Sequence, residues 1–356
     1  MTRSIINTFS YASISCIMYV VSIGLVQTAF AADVGGMRSK PNEQMQSVLD
    51  ELAKLGPKPL ETLTAVEARK QPSPADAVKA LLKKQGKSLD PEAVGNVENK
   101  MIAGAGGQIP IRIYTPKGGG PFPVIVYYHG GGWVIADLDT YDASPRALVN
   151  ATNAVVVSAH YRQAPEHKFP AAHEDALAAY QWVLTHTKEL KGDSKRIAIV
   201  GESAGGNMAA AVSVMARERK IQMPIYQVLV YPIADSHVDT PSYVENAKAK
   251  PLSRAAMQWF FKQYLNSPTD EKNHLISLLS EKNLKGLPPT TIITAQFDPL
   301  RSEGKAYADL LQKAGVKVGY QNYEGVTHEF FGMAAVVDKA KEAQEFATQG
   351  LKEAFK

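Results

Sequence analysis

Apolar positions change their period once along this chain. Up to about residue 89 they recur every three or four places. Met45, Val48, Leu49, Leu52 and Leu55 form one stripe, and Ala77, Leu81 and Leu82 suggest another. Both predict amphipathic helices, separated by Pro-rich breaks at 57–59 and 72–74. From about residue 100 the pattern turns strand-like. Residues 109–114 alternate, 117–123 read as a Gly/Pro turn, and continuous apolar runs follow at 124–128, 154–159, 197–200, 228–231 and 291–295. Residues 317–323 add a further strand. Unbroken apolar runs are what a parallel strand buried on both faces requires. Helical stretches at 171–186, 203–220 and 301–314 separate the runs. The expectation is an α/β chain with a mostly parallel central sheet and helices on both faces. In such a sheet a site lies at the carboxyl ends of the strands.

The alternation breaks after Tyr231-Pro232. A polar stretch, 234–250, leads into a helix carrying Met257, Trp259, Phe260, Phe261, Tyr264 and Leu265, and strand–helix order resumes only at Thr290. We read 235–285 as an insertion that packs with the N-terminal helices as a lid over the strand ends. The parts are then a leader at 1–31, a helical region at 32–99 contributing to the cap, and a catalytic region at 100–356 with its cap insertion.

The leader stands apart in composition. Arg3 is the only charged residue before Asp33, an apolar run covers 16–26, and Ala29-Phe-Ala31 offers a small-x-small cleavage site. Residues 1–31 therefore read as a cleaved secretory signal, with a periplasmic or secreted address. An uncleaved membrane anchor is the alternative. Cys16 is the only cysteine, so a mature chain would have no disulfide, no thiolate metal site and no cysteine nucleophile. The composition of the 356-residue chain is otherwise ordinary. A formal charge of +4 with scattered basic residues gives no nucleic-acid surface.

The sharpest local signal is Gly201-Glu-Ser-Ala-Gly205, which ends an apolar run and opens a helix. Glycines on both sides let a strand turn abruptly into a helix and hold Ser203 exposed at the turn. Alone, the pentapeptide also fits a tight structural turn. A serine hydroxyl needs a base oriented by a carboxylate. Asp298 follows the run 291–295, and His328 is the only one of eight histidines downstream of it. Asp298 and His328 both lie where loops should leave strand ends, in the chain order Ser203, Asp298, His328. Asp309 competes with Asp298 but falls inside a helical pattern, where solvation is expected. Among the other histidines, His129 belongs to a glycine motif and His160 ends a strand. His167 and His173 are expected to be solvated or locally hydrogen-bonded, and His186, His237 and His274 to lie at the surface. His129-Gly-Gly-Gly-Trp133 follows the run 124–128, so amides of Gly131 and Gly132, with that of Ala204, would make a three-donor oxyanion hole. The phosphate-loop alternative lacks a G-K-[ST] or G-x-G-x-x-G pattern.

Together these pieces resemble the hormone-sensitive-lipase-like bacterial esterases of the α/β-hydrolase superfamily. The matching motifs are His129–Trp133, Tyr161-Arg-Gln-Ala-Pro-Glu-His-Lys-Phe-Pro-Ala-Ala172, Gly201–Gly206, Leu287-Pro-Pro, Asp298-Pro-Leu-Arg-Ser-Glu-Gly304 and His328-Glu-Phe-Phe331, spread over residues 100 to 350. The resemblance implies an α/β-hydrolase fold with a helical cap and hydrolysis of carboxylic esters through an acyl-enzyme. It implies no metal and no cofactor. By position, Ser203 matches the nucleophile, Asp298 the acid, His328 the base, and Gly131, Gly132 and Ala204 the oxyanion donors. The partner is a small-molecule ester of short or medium acyl length. No stable membrane association is expected after signal cleavage, and homo-oligomerisation stays open.

Four positions depart from the family pattern. Glu202 and His160 stand where Asp is usual, Ser302 where a second Asp is usual, and Gln163 where Leu is usual. None removes a catalytic group. Two alternatives remain at this point. One is a non-catalytic ligand-binding protein on the same fold, and the other is an acyltransferase or amidase using the same triad.

Overall fold

The computed structural model describes residues 40–356. The leader at 1–31 lies outside the described residues. The N-terminal stripe at 45–55 forms α1 (Glu43–Leu55), capped by the Asn42 side chain and closed by Gly56 in the left-handed region. A one-turn α2 (Ala65–Ala68) and α3 (Pro74–Lys84) follow, the latter started by a Ser73/Asp76 capping box with Pro at its first turn. Met45, Val48 and Leu52 of α1 and Ala77, Val78 and Leu81 of α3 are buried, as their spacing requires. Leu55, at the end of the first stripe, stays exposed.

A sheet of eight strands then forms in the order β1-β2-β4-β3-β5-β6-β7-β8. Strands β1 (Asn96–Gly104) and β2 (Gly107–Thr115) are an antiparallel hairpin, and β2 also runs antiparallel to β4 (Val155–Ala159). The other pairings are parallel, through β3 (Phe122–Tyr128), β5 (Gly192–Glu202), β6 (Gln227–Val230), β7 (Thr290–Phe297) and β8 (Val318–Thr327). Alternate side chains enter two cores. Val124, Val126 and Tyr128 join one, and Ile125 and Tyr127 the other. The first core also takes α5 (Ala171–His186), α6 (Ala204–Glu218) and α9 (Arg301–Lys313). The second takes α1, α3, α4 (Ala143–Thr152) and α10 (Asp338–Ala354). Helices therefore cover both faces of a mostly parallel sheet.

The insertion carries α7 (Pro241–Glu245) and α8 (Arg254–Tyr264) and two single 3-10 turns. Trp259 of α8 donates its indole N–H to the Leu63 carbonyl at 3.0 Å, which ties the insertion to the segment before α2. Strand β1 begins at Asn96, inside the region expected to be helical up to 99. It is an edge strand with mostly exposed residues, so its sequence lacks an apolar rhythm. No helix of the described residues is long and apolar enough to cross a membrane.

Candidate active site

Five parallel strands end at one rim, and each delivers a group to it. The loop after β3 begins with His129, β5 delivers Ser203, β6 delivers Tyr231, β7 delivers Asp298, and β8 runs into His328. Ser203 sits at φ 57°, ψ −118°, a conformation that L residues avoid and that the surrounding structure must impose. Its N–H donates to the Val230 carbonyl at 2.9 Å, and its carbonyl accepts from Asn207 N–H in the first turn of α6. The flanking glycines are there for want of space. A Cβ on Gly205 would lie 2.0 Å from the Tyr128 carbonyl oxygen, and one on Gly201 would lie 2.0 Å from the Gly205 oxygen.

Ser203 Oγ lies 2.9 Å from His328 Nε2, and His328 Nδ1 lies 2.7 Å from Asp298 Oδ2. The carboxylate acceptor fixes the ring proton on Nδ1, leaving Nε2 to accept from the serine hydroxyl. Asp298 is fully buried, and its Oδ1 accepts from Leu300 N–H at 2.8 Å. Burial pulls the His328 pKa down, but the adjacent Asp298 carboxylate, with smaller contributions from Glu329 and Glu202, leaves it raised above the usual value. Asp309, the competing carboxylate, lies on α9 and pairs with Lys305 at the surface.

The loop after β3 is braced from its back side. His129 is buried, and its Nδ1–H donates to the Gly130 carbonyl at 2.7 Å. Its Nε2 faces His160 Nδ1 at 2.9 Å, and the Tyr161 hydroxyl donates to the carbonyls of His129 and Gly130, each at 3.0 Å. Burial, reinforced by His160, pushes the His129 pKa down to about 3, so the pair is neutral at physiological pH. His160, one of the departures from the family pattern, thus serves as a neutral brace. Gln163 holds the far end of the loop, donating to the carbonyls of Ile135 and Ala136, each at 2.8 Å. Between these braces Gly131, Gly132 and Ser203, with His328 and Glu329, line a cavity of about 200 Å³. Ala204 is the first residue of α6, where a backbone N–H has no helical partner. Gly132 is hemmed in from above, since a Cβ there would lie 2.2 Å from the Phe260 ring of α8.

Several groups around the triad were not singled out by sequence. Tyr141 donates its hydroxyl to the Glu329 carboxylate at 2.7 Å, and the Glu329 Oε1 is 3.7 Å from His328 Nε2. Tyr127 donates to Glu202 at 2.6 Å, and Tyr231 donates to its other oxygen. Burial, opposed by these hydrogen bonds, raises the Glu202 pKa to about 7. Tyr127 and Tyr231 gave a weak signal because lone tyrosines in apolar runs look like core, and Tyr141 because it stands in a polar stretch. The expectation for His173 needs correction. It is neither solvated nor locally bonded but fully buried on α5, bonded to Tyr264 Oη at 2.7 Å and Asn207 Oδ1 at 2.9 Å. Its partners are 91 and 34 residues away, a pairing that no local pattern reveals. Ser302 exchanges two hydrogen bonds with Ser242 and so fastens α7 to α9.

This arrangement matches known proteins closely. A family model described as alpha/beta hydrolase fold matches residues 125–332. Among curated relatives, the carboxylesterase NlhH of Mycobacterium tuberculosis is 42% identical over 252 residues, covering 69% of this chain and 79% of its own. An ethyl acetate hydrolase of Pseudomonas putida is 31% identical over 299 residues, covering 83% of this chain and 92% of its own. Among solved structures, a hyperthermophilic esterase of Pyrobaculum calidifontis superposes with a TM-score of 0.80 at 36% identity. That match covers 88% of this chain and 98% of the other.

Proposed function

The chain belongs to the α/β-hydrolase fold family, in its hormone-sensitive-lipase-like branch, and is a carboxylic ester hydrolase, and on that premise we propose which of its residues perform the reaction. Ser203 Oγ attacks the ester carbonyl carbon while its proton passes to His328 Nε2. The new C–O bond leaves a negative oxygen for the amides of Gly131, Gly132 and Ala204. The imidazolium returns the proton to the alkoxy oxygen as the C–O bond to the alcohol breaks, and the acyl group stays on Ser203. Water then attacks the acyl-enzyme, giving its proton to Nε2, and that proton restores the Ser203 hydroxyl as the carboxylic acid leaves. Asp298 keeps the useful tautomer throughout. The observation carrying this reading is the hydrogen-bonded line Ser203–His328–Asp298 opening onto a glycine-lined cavity.

The cover reads as a cap made of residues 57–74 and α8, both of which line the cavity. A volume of about 200 Å³ supports short to medium acyl esters, in keeping with a relative that hydrolyses ethyl acetate. Residues 1–31 we take as a cleaved export signal leading to the periplasm or the exterior, supported by the uncharged apolar run and the Ala29-Phe-Ala31 site. N-terminal sequencing that begins at Ala32 or Asp33 supports cleavage, and an intact Met1 opposes it.

Ser203→Ala tests the central assignment on a panel of p-nitrophenyl esters from acetate to dodecanoate. We expect hydrolysis to fall by about 10⁶-fold in kcat with an unchanged melting temperature. Residual activity near the wild-type level removes Ser203 as nucleophile. Partition of product in the presence of added alcohols or amines separates hydrolysis from acyl transfer and amide cleavage.

A further inference from the structure

Glu329 is the residue the mechanism leaves unused. It follows the base directly, yet it does not continue the strand. Its backbone sits at φ 71°, ψ 2°, the left-handed region that a residue with a Cβ seldom adopts. That turn leaves its side chain 21% exposed and lining the cavity that holds Ser203 and His328. There Oε1 stands 3.7 Å from His328 Nε2, the nitrogen opposite the one that Asp298 holds. Tyr141, from the loop after β3, donates to both carboxylate oxygens at 2.7 Å and fixes the group in place. A strained backbone and a buried tyrosine donor converging on one carboxylate call for more than packing.

We propose that Glu329, held by Tyr141, is a positioning residue that stabilises the His328 imidazolium from the side on which the ester reacts, as Asp298 does from the other. This rests on the reading of Ser203 and His328 as nucleophile and base. Protonation of Nε2 is the event common to both half-reactions, and a carboxylate facing that nitrogen lowers its free energy each time. The same charge makes the resting histidine harder to deprotonate, so it sets the acid limb of activity.

The other charged groups around the pair are accounted for. Asp298 contacts His328 at Nδ1, the Tyr231 ring packs on the imidazole at 4.5 Å, and Glu202 lies behind Tyr231. On its far side Glu329 faces a second cavity also lined by Lys79, Asp90, Glu92 and Glu202, and by Arg112, Asp139, Asp142 and Arg146, these last four joined by ion pairs. From the cover, Lys58, Glu61, Arg69 and Lys250 line the reaction cavity. Burial raises the Glu329 carboxyl above its usual range, opposed by His328 and Tyr141, which favour its charged form.

The test is the pH profile of kcat/KM on p-nitrophenyl acetate for wild type, Glu329→Gln, Glu329→Asp and Tyr141→Phe. Removing the charge should move the acid-limb midpoint down by about one unit, and kcat on the alkaline plateau should fall less than tenfold. Glu329→Asp should restore most of the wild-type midpoint. Tyr141→Phe should shift it in the same direction as Glu329→Gln but less. An acid limb that stays where it is in Glu329→Gln overturns the proposal, whatever happens to kcat or melting temperature. If Glu329→Gln does not fold, an unmoved limb in Tyr141→Phe overturns it equally. Failure of the underlying reading looks different, because Ser203→Ala would then remain active.

Discussion

The floor of the site and its cover are held by different kinds of interaction. Reactive groups of the floor leave the ends of adjacent parallel strands, and strand register places them. Tyr128 pairs with Gly201, and Gly201 with Leu229, so the glycine loop and the Ser203 turn are set beside each other by backbone pairing. The cover depends on a few long side chains. Trp259 reaches the Leu63 carbonyl, while Arg69 spans to the carbonyls of Val134 at 2.8 Å and Ala164 at 2.7 Å and pairs with Glu166. A floor placed by strand register tolerates side-chain change except at the reacting groups, at the side chains that brace the glycine loop, and at the tightly packed glycines. A cover built from side chains can change what it admits without disturbing the chemistry beneath. On this basis we propose that reaction belongs to one region and selectivity to the other.

That contrast can be broken first at the floor. His328→Ala should lower kcat on short esters by about 10⁶-fold with little effect on melting temperature, and Asp298→Asn by about 10⁴-fold, because each leaves the backbone register intact. Gly205→Val should instead damage the fold. Its side chain would press on the Tyr128 and His129 carbonyls, and a loss of about 3 kcal/mol or more should lower the melting temperature by several degrees. At the cover the expectation reverses. Phe260→Ala removes the ring that closes over Gly132, so kcat/KM on acetate esters should change less than tenfold while the optimum moves to longer acyl chains. A uniform loss over all chain lengths would contradict the division of labour.

The smallest effect concerns Glu202. Its carboxyl is buried and raised to about 7 in the folded state. The folded protein therefore binds this proton more tightly than the unfolded chain does. The stability linked to it is complete below the ordinary carboxyl pKa and is lost as pH rises through about 7. Glu202→Gln should flatten the decline of melting temperature between pH 5 and pH 8, and an unchanged slope would place the titration elsewhere.

The same contrast explains what could be read from sequence. Runs at 124–128 and 197–200 are apolar, and 291–295 is largely so despite Thr291 and Thr294; their rhythm betrays buried parallel strands, and Ser203 and Asp298 follow within a few residues. His328 was legible because only one histidine lies beyond Asp298. Strand β1 was not, because its outward residues, such as Asn99 and Lys100, carry no apolar rhythm at a sheet edge. His173 was misjudged because its partners, Tyr264 and Asn207, come from separate helices. Glu329 stood in plain view beside His328, yet its role depends on a backbone turn and on Tyr141, 188 residues away. Chemistry tied to strand ends is written locally, whereas long-range side-chain pairing is not.

Stoichiometric labelling by a fluorophosphonate, followed by peptide mapping, tests the central claim most directly. The account predicts one phosphonyl adduct per chain, on Ser203, absent in Ser203→Ala and strongly slowed in His328→Ala. An unlabelled protein that hydrolyses esters, or an adduct on another residue, would contradict it.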